Sequence, residues 1–77
     1  MATARLNQTR SYRPLFVREN IDALREWRGK EGLSQSDVAA AIGVSKDYFA
    51  QWERGECYPT QGNYNNLAKV FGWREWE

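Results

Sequence analysis

The feature that most constrains the fold of this chain is a pair of short apolar repeats on either side of Gly43. In the stretch LSQSDVAAAIGVSKDYFAQWERG, residues 33–55, each repeat has the spacing of an α-helix but is too short to be stable alone in water. A glycine between the repeats can adopt the positive φ of a tight turn. The two segments are therefore predicted to be short helices that bury their apolar faces against each other and against neighbouring helices.

The periodicity of the chain predicts four helices, and no segment alternates as a strand would. Each predicted helix begins at a proline or a capping hydroxyl and ends at a glycine, and the approximate ranges are 14–32, 34–43, 45–55 and 60–72. Their apolar positions supply one core, whose predicted members are Val17, Ile21, Leu24, Val38, Ala39, Ile42, Phe49, Trp52, Tyr64, Leu67, Ala68 and Phe71. The expected fold is therefore all-α.

The inventory of reactive side chains excludes several classes of function. The chain has no histidine and one cysteine, Cys57, so it lacks a ligand set for zinc and the residues of Ser-His-Asp or Cys-His catalysis. We therefore expect no enzyme, no metal and no cofactor. No apolar run approaches the ~18 residues that suggest a membrane span, and the N-terminus lacks the apolar segment of a secretory signal. A cytoplasmic protein without a membrane partner is expected.

Positive charge is concentrated at the N-terminal end, although the formal net charge is only +1. Residues 1–18 contain four arginines and no acidic residue, whereas residues 31–77 contain four basic and seven acidic residues. A basic segment beside a neutral or acidic body favours contact with a polyanion. We expect a flexible basic arm over residues 1–13 and one domain over residues 14–77; a tail without a binding role is the alternative.

The second and third predicted helices, with the turn between them, have the pattern of a helix-turn-helix. The sequence LSQSDVAAAIGVS, followed by WERG, YP and NNLAKVFG, resembles the Cro and lambda-repressor-like (XRE) family over about residues 18–73. This resemblance implies a compact domain of four to five helices that binds double-stranded DNA and usually works as a dimer. Many relatives form the dimer through a fifth helix, and this sequence ends where that helix would begin. A homodimer is therefore an open expectation.

The resemblance implies that the third predicted helix lies in the major groove of DNA. Phe49 and Trp52 face inward at about 100° per residue. The residues expected to face outward are Asp47, Ala50, Gln51 and Arg54, with Lys46 to one side of them. Lys46, Asp47 and Gln51 match the positions at which the family reads bases. Gln51 can contact adenine at two atoms, and the methyl group of Ala50 can touch thymine. The positive end of the helix explains Asp47 at least as well as a base contact does.

Phosphate contacts are expected around this helix and from the arm. In the family, the glutamine that opens the second helix contacts a phosphate, and Gln35 matches that position; a glutamine that only serves the capping turn is the alternative. The other candidates are Ser45, Tyr48, Arg54, Arg5, Arg10 and Arg13. Tyr48 and Arg54 are equally well explained as ordinary exposed side chains.

Two further expectations concern the interior. The resemblance implies an ion pair between Arg28 and Glu53, which lie on apolar faces where an unpaired charge is costly. Trp73 is expected to fold back onto the core, whereas Trp76 can either join the core or meet a partner.

Two functions are compatible with this pattern. The first is a sequence-specific regulator of transcription, a repressor or autoregulator from a phage or other mobile element, bound to double-stranded DNA of the nucleoid and without a small-molecule ligand. The alternative is a protein-interaction module that has the fold but does not read DNA. The near-neutral charge and Asp47 favour the module, whereas Gln35, Lys46, Gln51 and the basic arm oppose it.

Overall fold

The computed structural model describes residues 13–77, which contain five α-helices and no strand. In chain order they are α1 (Leu15–Asp22), α2 (Leu24–Glu31), α3 (Gln35–Ile42), α4 (Lys46–Glu53) and α5 (Gln61–Phe71). α4 packs against α1, α2 and α3, while α5 packs against α3. The all-α prediction is confirmed, and every residue predicted for the core is buried. Arg5 and Arg10 of the predicted arm lie outside the described residues.

One predicted helix is two helices in the structure. The first apolar repeat predicts a single helix up to Gly32, but Ala23 separates α1 from α2 with φ −98° and ψ 15°. The backbone hydrogen bonds continue across the bend: the N–H of Ala23 donates to Glu19 at 3.1 Å, and its carbonyl accepts from Trp27 at 3.0 Å. Because the apolar repeat also continues across Ala23, the sequence pattern carries no sign of the bend.

The turn between α3 and α4 depends on Gly43, which ends α3 with φ +78°. The N–H of Val44 donates to the carbonyl of Ala39 at 3.0 Å, and that of Gly43 donates to Ala40 at 3.3 Å. This pair of hydrogen bonds is a Schellman motif, which satisfies carbonyls that the end of a helix leaves unpaired. Val44 is half-buried against the core, so that α4 begins close to the end of α3.

Hydroxyl side chains begin the last three helices. Ser34 and Asp37 form a capping box at α3, in which each side chain accepts the other residue's backbone N–H at 3.0 Å. The hydrogen bond from the Ser34 N–H is the main reason that the pKa of the Asp37 carboxyl lies below its ordinary value. Ser45 at α4 and Thr60 at α5 each make a single cap bond, in which the side-chain oxygen accepts the N–H of Tyr48 and of Asn63 respectively.

The segment after α5 folds back onto the domain. Trp73 is 9% exposed and stacks on Tyr64 and Phe71, with ring centroids 5.5 and 5.1 Å apart. Trp76 lies edge-on to Tyr64 at 6.1 Å, and its backbone N–H and carbonyl bond to the side-chain amide of Asn65 at 2.7 and 2.9 Å. The prediction for Trp73 is confirmed, and Trp76 also packs against the core.

Two glycine substitutions are expected to have opposite effects on stability. A Cβ atom added at Gly43 or at Gly29 would meet no atom within 4 Å, but only Gly43 has positive φ. Gly43→Ala should therefore lower the free energy of unfolding by about 1–2 kcal/mol through backbone strain alone. Gly29→Ala, in the interior of α2, should raise it by about 0.5–1 kcal/mol. Chemical denaturation measures both variants, and a stabilised Gly43→Ala would contradict the role given to the turn.

Candidate nucleic-acid interface

α4 has one apolar face and one polar face. Phe49 and Trp52 hold it in the core with 0% and 1% of their surfaces exposed. Lys46 and Asp47, in its first turn, are exposed, and Gln51 on the next turn is half-buried. Because the inner face is fixed by large aromatic side chains, the polar face has a defined position on the surface of the domain.

Ala50 corrects the prediction for this helix. It was expected to face outward and reach a thymine methyl group, but it is buried, with 8% of its surface exposed. An alanine methyl group extends so little from the helix that longer neighbouring side chains can cover it. The angular position of Ala50 around the helix therefore does not by itself predict contact with a base.

A buried ion pair ties α4 to α2, as the resemblance implied. The Glu53 carboxylate accepts from Nε of Arg28 at 2.7 Å and from Nη2 at 3.2 Å. The Glu53 side chain is 0% exposed and that of Arg28 is 18% exposed, so the pair is largely removed from water. Nη1 of Arg28 donates to the carbonyl of Leu33 at 3.1 Å and thereby ties the pair to the chain that precedes α3.

Gln35 completes the same network. Its amide nitrogen Nε2 donates to Oε1 of Glu53 at 2.9 Å, which joins the first residue of α3 to the last residue of α4. The side-chain amide that was expected to meet a phosphate is thus bonded inside the domain. The sequence pattern does not reveal this bond because its two residues are 18 positions apart.

The pKa of Glu53 reflects two opposing influences. Burial alone would raise the pKa of this carboxyl, but the hydrogen bonds from Arg28 and Gln35 and the charge of Arg28 outweigh burial, and the net shift is downward. The carboxylate therefore stays charged where α4 meets α2 and α3.

Gln51 also has an internal partner that the sequence analysis missed. The thiol of Cys57 donates to Oε1 of Gln51 at 3.5 Å, and both residues are half-buried. This weak hydrogen bond uses the carbonyl oxygen of the amide and leaves its NH₂ group to donate elsewhere.

The remaining candidates for phosphate contacts around α4 differ in how far their polar groups are exposed or already bonded. Arg54, just after the helix, bonds to Glu56 at 2.7 and 3.1 Å, so an adjacent carboxylate partly offsets its charge. Tyr48 is half-buried and lies edge-on to Trp52 at 5.0 Å. The oxygen of Ser45 accepts the capping N–H at 3.0 Å, while its hydroxyl proton can still be donated.

Arg13 lies beside the loop that follows α4. Its guanidinium carbon is 4.7 Å from the centroid of the Tyr58 ring, and the Tyr58 hydroxyl donates to Asp22 at 3.0 Å. The first described residue is thus located near the end of the helix-turn-helix, whereas Arg5 and Arg10 fall outside the described residues.

Residues 13–77 contain neither a candidate metal site nor a candidate membrane-spanning helix. No group of three or more His, Cys, Asp and Glu side chains is arranged to hold a metal ion. No helix in this part of the chain is both long and apolar enough to cross a membrane.

Comparison with known proteins identifies a family. The sequence profile of the family described as "Helix-turn-helix domain" matches residues 22–75, which is more than half of the chain. The match includes α2 to α5 and the turn at Gly43.

Three curated proteins are similar over part of the chain. The HTH-type transcriptional regulator DdrOP3 of Deinococcus deserti is 35% identical over 51 residues, which are 66% of this chain and 40% of that protein. Two proteins with provisional names as HTH-type transcriptional regulatory proteins also match. The one from Thermococcus kodakarensis is 45% identical over 42 residues, 54% of this chain and 13% of that protein. The one from Sulfurisphaera tokodaii is 34% identical over 58 residues, which are 75% of this chain and 20% of that protein.

The chain thus spans less than half the length of each of these relatives. No solved structure matches it significantly.

Loss of one partner from the buried ion pair should destabilise the domain strongly. Arg28→Ala leaves the Glu53 carboxylate buried without its main partner and should lower the free energy of unfolding by about 3–5 kcal/mol. Arg54→Ala removes an arginine from an exposed pair and should leave the unfolding midpoint nearly unchanged. Urea denaturation of wild type and the two variants measures these changes in stability. Equal, small effects would show that the buried pair does not hold α2 to α4.

The lowered pKa of Glu53 predicts a contribution to stability that depends on pH. Its folded pKa lies below the ordinary 4.5, so the stabilisation is fully present above pH 4.5 and is lost as the pH falls through the folded pKa. The free energy of unfolding should therefore fall less between about pH 5 and pH 3 in Glu53→Gln than in wild type. Glu31→Gln, which removes an exposed carboxylate, is the control. Parallel curves for wild type and Glu53→Gln would contradict the assignment.

Proposed function

The chain belongs to the helix-turn-helix domain family, and we propose on that basis that it is a DNA-binding regulator of transcription that inserts α4 into the major groove. The observation that carries the proposal is the two-sided character of α4. Phe49 and Trp52 fix its inner face in the core, while Lys46 and Asp47 are exposed on its outer face. Because packing holds its inner face, α4 would present these side chains to a groove in one fixed orientation.

The dimensions of α4 suit the groove. An α-helix with its side chains is about 10–12 Å across, and the major groove of B-DNA is about 12 Å wide, so the groove admits α4. Side chains of the first turn would reach base edges, and the residues around both ends of the helix would meet the flanking phosphates.

Base reading is assigned to three side chains. Lys46 would donate to O6 and N7 of guanine, and Asp47 would accept from N4 of cytosine. The NH₂ group of Gln51 would donate to N7 of adenine, and its carbonyl oxygen, which has a second lone pair beside the weak bond from Cys57, would accept from N6. Ala50 is not included, since it is buried.

Phosphate contacts would come from the margins of α4 and from the N-terminal segment. The Ser45 hydroxyl precedes α4, Tyr48 lies in its first turn, and Arg54 follows its last turn. Arg5, Arg10 and Arg13 would add positive charge along the backbone of the duplex. Gln35 would contribute through the free N–H groups at the start of α3, because its side-chain amide is bonded to Glu53.

For the regulatory mode we propose a repressor or autoregulator, because a domain bound across a promoter can block transcription by occupying the site. The relatives named as transcriptional regulators support a role in transcription. The site of action would be nucleoid DNA in the cytoplasm, and a homodimer would place two α4 helices about 34 Å apart, one turn of DNA.

A second candidate, a protein-interaction module with this fold, is favoured by one observation. Two polar side chains expected at phosphates have internal partners, since Gln35 is bonded to Glu53 and Arg54 to Glu56. A salt titration separates the candidates. Duplex binding by the regulator should weaken steeply, with a log–log slope near −0.9 per phosphate contacted, whereas the module should not bind duplex DNA.

Selection of bound sites from random duplexes should return a defined sequence, and Gln51→Ala should change the base preferred at one position of it. Lys46→Ala should weaken binding to the selected site more than Lys69→Ala, which removes the same charge from the exposed side of α5. Fluorescence anisotropy measures these affinities at fixed salt. The proposed reading by α4 is wrong if Gln51→Ala loses affinity equally for every sequence and the two lysine variants behave alike.

A further inference from the structure

We infer that Arg25, in α2, binds a phosphate of the DNA backbone at the corner where α3 begins and α4 ends; this inference rests on the proposed function. The Arg25 side chain is 73% exposed. Its one contact within residues 13–77 is with Glu53, where Nε lies 3.8 Å from Oε1. That separation is too long for a hydrogen bond, so the guanidinium keeps its donors for a ligand.

Arg28 is less available for the same role, because most of its side chain is buried and three of its five N–H donors are already used. Its side chain is 18% exposed, and its three guanidinium nitrogens are all engaged, two with Glu53 and one with the carbonyl of Leu33. The corner holds two arginines and one carboxylate, which leaves a net charge of +1. Arg25 therefore carries the exposed part of that charge.

The position of Arg25 relative to α3 and α4 points to a phosphate. Oε1 of Glu53, which Arg25 approaches, also accepts from Gln35, the first residue of α3. Arg25 thus lies beside both helices of the helix-turn-helix. When α4 occupies the major groove, a group at its end faces the sugar–phosphate backbone that borders the groove.

The chemistry of the side chain fits this ligand. A guanidinium presents a planar fork of donors that can bind two phosphate oxygens at once. The Glu53 carboxylate lies near Nε of Arg25 and orients the guanidinium. Its negative charge is offset mainly by Arg28, whose Nε lies 2.7 Å from Oε2. The terminal nitrogens of Arg25 are left to meet the backbone.

Arg25→Gln should weaken binding to specific and non-specific duplexes by the same factor, about tenfold near 0.1 M salt, and should make the salt slope shallower by about 0.9. Lys30→Gln is the matched control. It removes one positive charge from the same helix, about 140° away around its axis, where the ammonium lies 4.8 Å from the Trp27 ring. This control should keep the wild-type slope, and Arg25→Lys should keep the slope while losing part of the affinity.

Binding to duplexes with single methylphosphonate substitutions locates the contact. One substitution should weaken wild type and Lys30→Gln but leave Arg25→Gln unaffected, and all three proteins should unfold within about 2 °C of one another. If Arg25→Gln keeps the wild-type slope and responds to every substitution as wild type does, the Arg25 inference is overturned while the proposed function stands. If wild type fails to bind duplex DNA at low salt, both are overturned.

Discussion

The arrangement of this domain depends on the buried carboxylate of Glu53. It stands at the end of α4 and accepts hydrogen bonds from Arg28 of α2 and Gln35 of α3 at distances of 2.7 to 3.2 Å. A carboxylate with a fully buried side chain is tolerated only when such donors replace water. The same bonds that satisfy it join three helices, so the position of α4 is fixed by electrostatics at one end.

Packing fixes the same helix along its length. Phe49 and Trp52 lie edge to face in the same buried core as Tyr64, on which Trp73 stacks. Each helix of the domain has only eight to eleven residues and would be marginal alone. Tertiary contacts therefore decide which face of α4 meets solvent, and that face carries the function we propose.

Much of the fold could be predicted from the sequence, because helical periodicity, capping hydroxyls and terminal glycines are local signals. The core residues and the pairing of Arg28 with Glu53 agree with what the pattern and the family resemblance implied. The bend at Ala23 could not be predicted, since neither the apolar repeat nor the backbone hydrogen bonding stops there. Side-chain partners such as Glu53 for Gln35 and Cys57 for Gln51, and the burial of Ala50, depend on tertiary neighbours that periodicity does not specify.

The most direct test of the central claim, that the polar face of α4 meets DNA, is the change in ¹H–¹⁵N chemical shifts when a selected duplex is added to the labelled protein. The account predicts that the largest changes fall on amides from Ser45 to Gln51 and on the start of α3, with small changes along the exposed side of α5. Changes confined to α5 and the segment after it, with the amides of α4 unmoved, would contradict it.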